Sequence, residues 1–458
     1  MNHTFIALPL QDALLTNLAS LGYEKMTPIQ AKSLPGMLNG DDVIAKASTG
    51  SGKTAAFGLT LLNSINLKFF AVQALVLCPT RELAEQVSQA IRQLARQMAN
   101  VKIINLSGGM PMRAQLDSLR HGAHIIVGTP GRVQKHLDKE SLVLEKITTL
   151  VLDEADRMLD MGFLDAIRAV VKFCPKKRQT LLFSATYPKE IKQMSFEFMQ
   201  NPTEVFIESS EATQDIEQRF YEVNQCNKYA VLTSLLRQYK PTSSLIFCNT
   251  KQLTTELTAQ LKQDGFSAIA LNGDMEQVDR DVAIIKFTNQ SCSILVATDV
   301  AARGLDIKEL PLVINYDLAY EGDVHTHRVG RTGRAGSKGI AISLTMPSDG
   351  QRICAIEDTQ TLPLTWGNIA EIPQSNSQPA APTMSTLCLD VGKKDKIRAG
   401  DIMGALTKDL GLPGDTIGKI NILPLKSYVA INNSHVTQAY KSIQNGKLKG
   451  RRVNVRKI

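Results

Sequence analysis

The sequence has few of the features that mark secreted or membrane proteins. Its seven cysteines are an odd number and include no C-x-x-C pair, which fits free thiols in a reducing compartment. No uninterrupted apolar run approaches the roughly 18 residues of a membrane span. The N-terminal stretch also lacks the basic and apolar regions of a targeting signal. We therefore expect a cytoplasmic protein with no membrane partner.

Acidic residues are scarce at the C-terminal end. Residues 384–458 contain 14 Lys and Arg, five Asp and no Glu, a formal charge of +9. The first 383 residues contain 38 basic and 39 acidic side chains and are therefore close to neutral. The net charge of +8 is thus concentrated in the C-terminal segment, 384–458. This distribution indicates a polyanionic partner for that segment.

Length and hydrophobic pattern predict an α/β protein of several domains. At about 150 residues per domain, the chain would hold roughly three. Short runs rich in Val, Ile and Leu alternate with amphipathic stretches of helical length, as in parallel sheets covered by helices on both faces. Five such runs precede residue 190 and five follow residue 240. We therefore predict two tandem parallel-sheet domains.

Polar segments and the C-terminal pattern predict the domain boundaries. "ESSEATQDIEQ" separates the two groups of strands, and "QSNSQPAAPT" has no apolar periodicity and contains two prolines. The C-terminal segment follows the order βαββαβ, which is that of an RNA-recognition motif. The predicted divisions are an N-terminal segment (1–31), two parallel-sheet domains (32–208 and 216–361), a linker (362–383) and a domain like an RNA-recognition motif (384–458).

The basic ending "NGKLKGRRVNVRKI" can be a strand or a disordered tail. Val453 and Val455 alternate with basic and polar residues, the period of a half-buried strand, which favours the strand. Arg452 and Arg456 would then lie on an open sheet face. That face offers few aromatic side chains, chiefly Tyr428, so basic edges and loops are expected to dominate RNA binding.

Two motifs in the first domain predict a nucleotide site. "ASTGSGKT" (47–54) lies between a predicted strand and helix, where backbone amides cradle phosphates, Lys53 reaches the outer phosphates and Thr54 faces Mg²⁺. A glycine-rich turn without a ligand is the alternative. "LVLDEAD" ends a buried strand in Asp153, a candidate Mg²⁺ ligand, and Glu154, a candidate base for the attacking water. Alone, this acidic pair could be a solvated loop.

Residues 1 to about 360 carry a series of motifs in one order. These are "GYEKMTPIQ" (22–30), "ASTGSGKT" (47–54), "PTRELA" (79–84), "GG" (108–109), "TPGR" (129–132), "DEAD" (153–156), "SAT" (184–186), "ATDVAARGLDI" (297–307) and "HRVGRTGR" (327–334). With this series the chain resembles the DEAD-box RNA helicases. The resemblance implies two RecA-like domains, ATP and Mg²⁺ as cofactors, and an RNA partner. With "GDIMGALTKDLGL" and "NGKLKGRRVNVR", it extends over the full length to the bacterial DbpA group.

The resemblance assigns the ATP site residue by residue. Gln30 would recognise adenine, Phe5 would stack on it, and His327, Arg331 and Arg334 of the second domain would assist hydrolysis, the arginines as fingers on the γ-phosphate. Taken alone, Phe5 is more often a core residue. Further ATP contacts are expected at Ser48, Thr49, Gly50, Ser51, Gly52, Lys53, Thr54 and Asp306.

The resemblance also implies an RNA path and a coupling element. Ser184 and Thr186 of "SAT" would couple hydrolysis to strand separation. The expected RNA contacts are Arg81, Gly109, Thr129, Arg132, Gly273, Gln277, Arg280 and Thr298 in the core, and Tyr428, Lys449, Arg451, Arg452 and Arg456 in the C-terminal domain.

For the whole chain, the resemblance implies an RNA-stimulated ATPase. The C-terminal domain would grip a hairpin of 23S ribosomal RNA while the core unwinds nearby duplex during assembly of the large ribosomal subunit. No obligate protein partner is evident. An ATP-gated RNA clamp with little unwinding remains open because it needs the same site, and a DNA helicase is disfavoured by the family resemblance.

Overall fold

The computed structural model describes residues 4–47, 50–207, 216–302, 307, 309–333, 339–360, 363–373, 377–409 and 411–458. These residues form two compact units, which divide the chain between residues 207 and 216. Within the described ranges, no helix combines the length and apolar character needed to cross a membrane.

The first unit is built on a seven-stranded parallel sheet. Its order is β3-β4-β2-β5-β6-β1-β7. The strands are β1 (Val43–Lys46), β2 (Ala74–Leu77), β3 (Ile103–Leu106), β4 (Ile125–Gly128), β5 (Thr149–Leu152), β6 (Gln179–Ser184) and β7 (Thr203–Phe206). All five strands predicted before residue 190 are present. The apolar pattern did not reveal β3 and β7, which form the two edges of the sheet.

Helices cover both faces of this sheet. They are α1 (Asp12–Ser20), α2 (Pro28–Asn39), α3 (Lys53–Ser64), α4 (Arg81–Leu94), α5 (Met112–Leu119), α6 (Pro130–Asp138), α7 (Ala155–Asp160), α8 (Leu164–Val171) and α9 (Lys189–Phe198). Successive strand residues enter different cores: Val76 packs in one cluster and Leu75 and Leu77 in the other. Both faces are therefore buried, which explains why the strands are continuous apolar runs.

The second unit begins with a six-stranded parallel sheet of order β10-β11-β9-β12-β13-β8. Its strands are β8 (Ile216–Glu222), β9 (Ser244–Phe247), β10 (Ala268–Leu271), β11 (Ile294–Ala297), β12 (Leu312–Asn315) and β13 (Gly339–Thr345). Its helices are α10 (Lys228–Tyr239), α11 (Lys251–Gln263), α12 (Gln277–Thr288), α13 (Asp299–Ala302), α14 (Gly322–Val329) and α15 (Gly350–Glu357). The prediction of two tandem parallel-sheet domains is confirmed.

Part of the segment expected to be a linker, 362–383, packs against this second sheet. Phe220 N donates to Thr365 O at 2.9 Å, and Gly367 N donates to Phe220 O at 2.8 Å. The Trp366 ring lies 5.8 Å from that of Phe220. Ile372 is buried in the core of this domain. The first half of the segment therefore extends the second parallel-sheet domain.

The C-terminal domain has the predicted βαββαβ order. It comprises β14 (Met384–Leu389), α16 (Ala399–Gly404, continued by a π-helical turn Ala405–Asp409), β15 (Ile417–Ile422), β16 (Ser427–Asn432), α17 (Val436–Asn445) and β17 (Val455–Lys457). The strands form an antiparallel sheet of order β15-β16-β14-β17. Val453 and Val455 are buried in its core. The ending is therefore a strand, shorter than its alternation suggested.

Candidate functional site

The phosphate loop joins β1 to α3. Gly50 and Gly52 have φ angles of +84° and +98°, which favour glycine. A Cβ at Gly52 would also lie 2.5 Å from Gln30 Nε2. Lys53 begins α3 and is buried, with Nζ donating to Ala47 O at 2.9 Å. The Lys53 ammonium therefore bonds back to Ala47 at the end of β1, while its backbone lies at the N-terminus of α3.

Gln30 links the N-terminal segment to this loop. Its Oε1 accepts from Thr27 N at 2.9 Å, and its Nε2 donates to Gly52 O at 3.1 Å. The side chain is buried and held in one orientation, with one further donor and acceptor position left on the amide. Phe5, the other residue expected at adenine, is buried in the core of the first unit with its ring 6.1 Å from that of Tyr23.

The acidic pair follows β5, as predicted. Asp153 is buried, and burial raises its pKa to about 7 against the opposing effect of the Lys53 charge; Glu154 raises it further. Glu154 N donates to Asp153 Oδ1 at 3.1 Å. Glu154 itself has φ of +51°, a conformation that non-glycine residues adopt at an energetic cost. The turn between β5 and α7 thus carries both carboxylates, and the effect of the Lys53 charge places Asp153 near the phosphate loop.

Asp156 ties "DEAD" to "SAT". Its Oδ2 accepts from Ala185 N at 3.2 Å, from Thr186 N at 2.9 Å and from Thr186 Oγ1 at 3.0 Å. Ser184 O in turn accepts from Ala47 N at 3.1 Å. Of the two candidate coupling residues, Ser184 is therefore bonded to the phosphate loop and Thr186 to "DEAD". The sequence of "DEAD" alone does not indicate this role of Asp156.

The expected RNA residues of the first unit lie together at the carboxyl ends of β2, β3 and β4. The Arg81 side chain lies over Gly108, where a Cβ would be 2.7 Å from Arg81 Nε. Burial lowers the pKa of Arg132, and the nearby Arg81 charge adds to this shift. Gly109 has φ of +79°. Thr129 N donates to Leu106 O at 3.2 Å, which places it between β3 and β4.

Gln115, which the sequence did not single out, holds this group. Its Oε1 accepts from Arg132 Nη1 at 2.7 Å and lies 3.1 Å from His136 Nε2, while its Nε2 donates to Ser107 O at 2.9 Å. The side chain is buried on α5. One amide therefore connects the "TPGR" arginine to the strand end that carries "GG". A single polar residue on an amphipathic helix gives no sequence signal for such a role.

In the second unit, the expected RNA residues lie on neighbouring strands. Gly273 follows β10 and Thr298 follows β11, and these two strands pair in parallel. Gln277 begins α12, and Arg280 on the same helix donates from Nη1 to Asn272 O at 3.1 Å. Thr298 is buried. The structure thus brings these four residues to one edge of the second sheet.

Arg328 organises the carboxyl edge of the second sheet. Its guanidinium donates to both Asp299 carboxylate oxygens at 2.7 Å and to Asn249 Oδ1 at 2.8 Å. It also donates to Asp317 O and lies over the Phe247 ring. Its neighbours His327 and Arg331 flank it on and just after α14. The motif "HRVGRTGR" contains this arginine, but its sequence does not indicate the role.

Four expected nucleotide-site residues lie outside the described residues. They are Ser48, Thr49, Asp306 and Arg334.

The expected RNA residues of the C-terminal domain differ in their exposure and in their ion pairs. Lys449 Nζ lies 3.2 Å from Asp401 Oδ2, Arg451 3.9 Å from Asp395, and Arg456 4.0 Å from Asp390. Arg452 is exposed. Tyr428 is only 2% exposed, because it packs against Ile285 of α12. The sheet face expected to be open is therefore covered at Tyr428.

Comparisons with known proteins agree with this arrangement. The DEAD/DEAH box helicase family matches residues 27–194, the helicase conserved C-terminal domain 227–336, and the DbpA RNA-binding domain 386–457. The chain is 51% identical to the ATP-dependent RNA helicase DbpA of Escherichia coli, over 98% of this chain and 97% of that protein. Identity to the Bacillus subtilis protein of that name is 37%, over 97% of each.

A solved structure supports the same family assignment for the helicase core. Saccharomyces cerevisiae Dbp5 bound to RNA and ADP BeF3 superposes with a TM-score of 0.74 at 32% identity, covering 80% of this chain and 96% of that one. The parallel-sheet domains are thus RecA-like. The chain belongs to the DEAD-box ATP-dependent RNA helicases of the DbpA type, enzymes that hydrolyse ATP and carry an RNA-binding C-terminal domain.

Proposed function

We propose that this helicase unwinds duplex locally in 23S ribosomal RNA during large-subunit assembly, directed by its C-terminal domain to an rRNA hairpin. The observation that carries this proposal is the charge of +9 confined to residues 384–458. The match of residues 386–457 to the DbpA RNA-binding domain supports it. A basic module attached to a nearly neutral core adds RNA-phosphate affinity to that of the core.

The residues around the phosphate loop fit ATP. Among the described residues, the buried Thr27 Oγ1 and Ser184 Oγ have no hydrogen-bond partner; Thr27 Oγ1 lies near Gly52, and the Ser184 backbone bonds to Ala47. Left-handed Gly50 and Gly52 leave backbone room for phosphate oxygens. Gln30, held by its bond to Gly52 O, would contact adenine, and Lys53 would exchange its bond to Ala47 O for a phosphate oxygen.

Mg²⁺ fits beside this loop through Asp153 and Thr54. Magnesium in such sites is held by few protein ligands together with phosphates and water, and the buried Asp153 carboxylate is a suitable oxygen donor. Bound there, the ion would neutralise charge on the phosphates. Glu154 would orient the attacking water and take its proton, and Lys53 would hold the outer phosphates.

Residues of the second unit complete the proposed chemistry. Arg331 and Arg334 would stabilise negative charge on the γ-phosphoryl group, an effect on the order of 10³ to 10⁵ in rate for arginine fingers. His327 would link hydrolysis to the second unit. Asp306, Ser48, Thr49 and Ser51 would add ATP contacts. Since the residues for ATP come from both units, we expect RNA to stimulate hydrolysis.

RNA would contact the two clusters already described, at the carboxyl edges of the two parallel sheets. Arginines and backbone amides there suit phosphates, and contacts to 2′-hydroxyls would favour RNA over DNA. In the C-terminal domain we retain Lys449, Arg451, Arg452 and Arg456 as proposed contacts. Tyr428 is not retained, because its ring is buried against α12.

ATPase stimulation across a panel of 23S rRNA fragments tests the targeting. The resemblance to the DbpA group implies a hairpin in the peptidyl-transferase region of 23S rRNA. Fragments containing this hairpin should reach half-maximal stimulation at a lower concentration than matched fragments without it. Equal half-maximal concentrations across the panel would overturn the targeting proposal. DNA of the same sequence serves as the control for the choice of RNA.

Strand displacement distinguishes unwinding from a clamp. Duplex next to the hairpin should separate with ATP and persist when a non-hydrolysable analogue or the variant Glu154→Gln is used, because release requires turnover. Separation to the same extent without hydrolysis, or no separation with ATP, would favour the ATP-gated clamp.

A further inference from the structure

His136 on α6 is a buried histidine with no part in the proposed ATP and RNA contacts. It is 0% exposed and lies one helical turn after Arg132, the arginine of "TPGR", on the same face of the helix. Its Nε2 lies 3.1 Å from Gln115 Oε1, and its Nδ1 lies 2.9 Å from Ser141 Oγ. The ring therefore joins α6 to α5 and to the turn that follows α6.

The hydrogen bonds of Gln115 fix which ring nitrogen carries the proton. Gln115 Nε2 donates to Ser107 O at 2.9 Å, so Oε1 is the atom that faces His136. A carbonyl oxygen only accepts, which requires a hydrogen on His136 Nε2. Burial lowers the pKa of His136, and the Arg132 and Lys139 charges lower it further. The ring is therefore neutral at pH 7, with Nδ1 as an acceptor.

The Ser141 hydroxyl supplies the donor that Nδ1 needs. Its Oγ lies 2.9 Å from both His136 Nδ1 and His136 O, but it carries a single hydrogen. Because Ser141 N already donates to His136 O at 3.0 Å, the hydroxyl can turn to Nδ1 without leaving that carbonyl unpaired. Both nitrogens of the neutral ring are then satisfied, and its one N–H group is directed at Gln115.

This N–H group completes the acceptor site that holds Arg132. Gln115 Oε1 has two lone pairs, and it accepts from Arg132 Nη1 at 2.7 Å and from His136 Nε2. A rotated Gln115 amide would place its N–H groups against both donors, so His136 keeps the oxygen turned towards the arginine. Arg132 Nη1 also donates to Met110 O at 3.0 Å, next to "GG". The orientation of the guanidinium thus depends on the histidine through one amide.

We propose that His136 is a positioning residue for RNA, which acts through Gln115 to orient the Arg132 guanidinium towards the RNA backbone. With an apolar side chain at position 136, Gln115 Oε1 keeps a buried lone pair unsatisfied and the amide gains freedom to rotate. Ordering Arg132 on RNA would then reduce the free energy of binding. The inference rests on the proposed RNA contact of Arg132 and adds the residue that orients it.

His136→Leu tests this role in the full-length protein, because leucine suits a buried site but cannot donate a hydrogen bond. The concentration of poly(U), an RNA without the hairpin, for half-maximal ATPase should rise about 3- to 10-fold, as expected for one buried hydrogen bond. The kcat at saturating poly(U) should be retained. His136→Gln carries an amide N–H group in place of the ring donor and should keep the half-maximal concentration within about 2-fold of the unmodified protein.

His124→Leu is the matched control for lost stability. It makes the same replacement at another histidine of the first unit that is 0% exposed. This histidine immediately precedes β4, at the end opposite to the "TPGR" segment, and its ring contacts the backbone of Lys102 and Leu67. Circular dichroism should show a lower melting temperature in both leucine variants. The half-maximal poly(U) concentration of His124→Leu should match that of the unmodified protein.

The double variant His136→Leu/Gln115→Met tests whether the histidine acts through the amide. Once Gln115 is replaced, the loss of His136 should raise the half-maximal poly(U) concentration by less than about 2-fold, because both changes remove the same link. His136→Met, which also lacks a donor, repeats the measurement should His136→Leu not fold.

Four results would overturn the inference. They are no rise in half-maximal concentration without the donor, an equal rise in His136→Gln, an equal rise in His124→Leu, and full additivity with Gln115→Met. The second would assign the effect to side-chain shape, the third to stability, and the fourth to a route that bypasses Gln115. If Arg132→Gln itself leaves the half-maximal concentration unchanged, the proposed RNA contact fails, and the role of His136 fails with it.

Discussion

Arg328 shows how one buried charge can organise the ends of several strands. The side chain is 1% exposed and bonds to groups that follow β9, β11 and β12. Its planar fork allows this, since a lysine presents one compact ammonium in place of five fixed donors. The resulting hub joins Asp299, next to the expected RNA contact Thr298, to the helix that carries His327.

Replacing Arg328 should therefore destabilise the second unit. Arg328→Met leaves Asp299 and Asn249 without their donor, and loss of one partner of a buried pair costs about 3 to 5 kcal/mol. Urea unfolding followed by Trp366 fluorescence measures this, because the protein has one tryptophan and it lies in this unit. Lys251→Met is the control in the same unit, since both partners of its ion pair with Asp274 are exposed. A loss in the free energy of unfolding no larger than that of the control would contradict this role of Arg328.

His325 should make the stability of the same unit depend on pH. Burial and the nearby Arg328 charge lower its pKa to about 3, while its ring stacks on Phe220 and meets Gln218 Oε1 at 3.2 Å. In the unfolded chain a histidine titrates near pH 6.5. Below that pH only the unfolded state binds the proton, so stability falls as the pH drops towards 3.

The expected loss from this histidine between pH 7 and pH 5 is about 2 kcal/mol. The variant His325→Gln keeps a donor for Gln218. Its free energy of unfolding, measured in urea, should differ between pH 7 and pH 5 by that much less than in the unmodified protein. Trp366 fluorescence is a local probe here, because its ring packs on Phe220. His121→Gln, at an exposed position, should keep the dependence of the unmodified protein. If the pH dependence of stability is unaltered in His325→Gln, it arises from other titrating groups.

The sequence motifs predicted which residues form the phosphate loop better than they predicted what surrounds each aromatic side chain. The glycines and Lys53 follow from their spacing because the phosphate loop is local in sequence. Phe5 and Tyr428 illustrate the limit, since an aromatic side chain fits a base or a core equally well. Which of the two it meets depends on distant residues such as Tyr23 and Ile285. No local pattern contains that information.

Among the strands of the two parallel sheets, the central ones were predictable, whereas three of the four edge strands, β3, β7 and β8, were not. A central parallel strand is buried on both faces and reads as a continuous apolar run. The edge strand β7 is largely exposed and has no such run. The same reasoning explains the short β17, because Val453 and Val455 bury side chains while only Val455–Lys457 pair with β14.

Gln115 on helix α5 joins two elements that are expected to contact RNA. Gln115→Met keeps the length of the side chain but removes the acceptor of Arg132 and the donor to Ser107. The "TPGR" and "GG" elements would then lose their shared anchor. The RNA concentration for half-maximal ATPase should rise about 5- to 30-fold, as expected for 1 to 2 kcal/mol. The kcat at saturating RNA should be retained.

Two further variants separate positioning from simple loss of packing. Gln115→Glu keeps an acceptor for Arg132 and should recover part of the RNA affinity. Ser118→Ala, one turn further on α5, removes only an exposed bond to Ala114 O and should be neutral. A fall in kcat without a change in half-maximal RNA concentration would mean that Gln115 acts on the nucleotide site.

At the scale of the whole molecule, the sequence predicted three folded domains but not their docking. Val282 and Ile285 look like ordinary core positions of an amphipathic helix. Period-two alternation in β14 and β16 assigns one face to the core and leaves the other to solvent. Only the assembled structure shows that these two surfaces cover each other.

The concentration of basic charge in the C-terminal domain predicts that hairpin binding depends on salt. Each phosphate neutralised by a basic side chain contributes about one unit to the slope of log affinity against log salt. The basic residues near the C-terminus should not contribute equally. Lys449 is already bonded to Asp401 and to Lys396 O, whereas among the described residues Arg452 has no ion pair. The free energy of the existing pair must be given up before Lys449 can bind a phosphate.

We therefore expect Arg452→Gln to reduce the slope by about one unit and Lys449→Gln by clearly less. Fluorescence anisotropy of a labelled hairpin over a series of salt concentrations measures both slopes in the full-length protein. Asp401→Asn sharpens the comparison, since it frees Lys449 and should raise affinity at low salt. If Lys449→Gln instead has the larger effect, the hairpin competes successfully for that lysine, and the basic ending is rearranged when RNA binds.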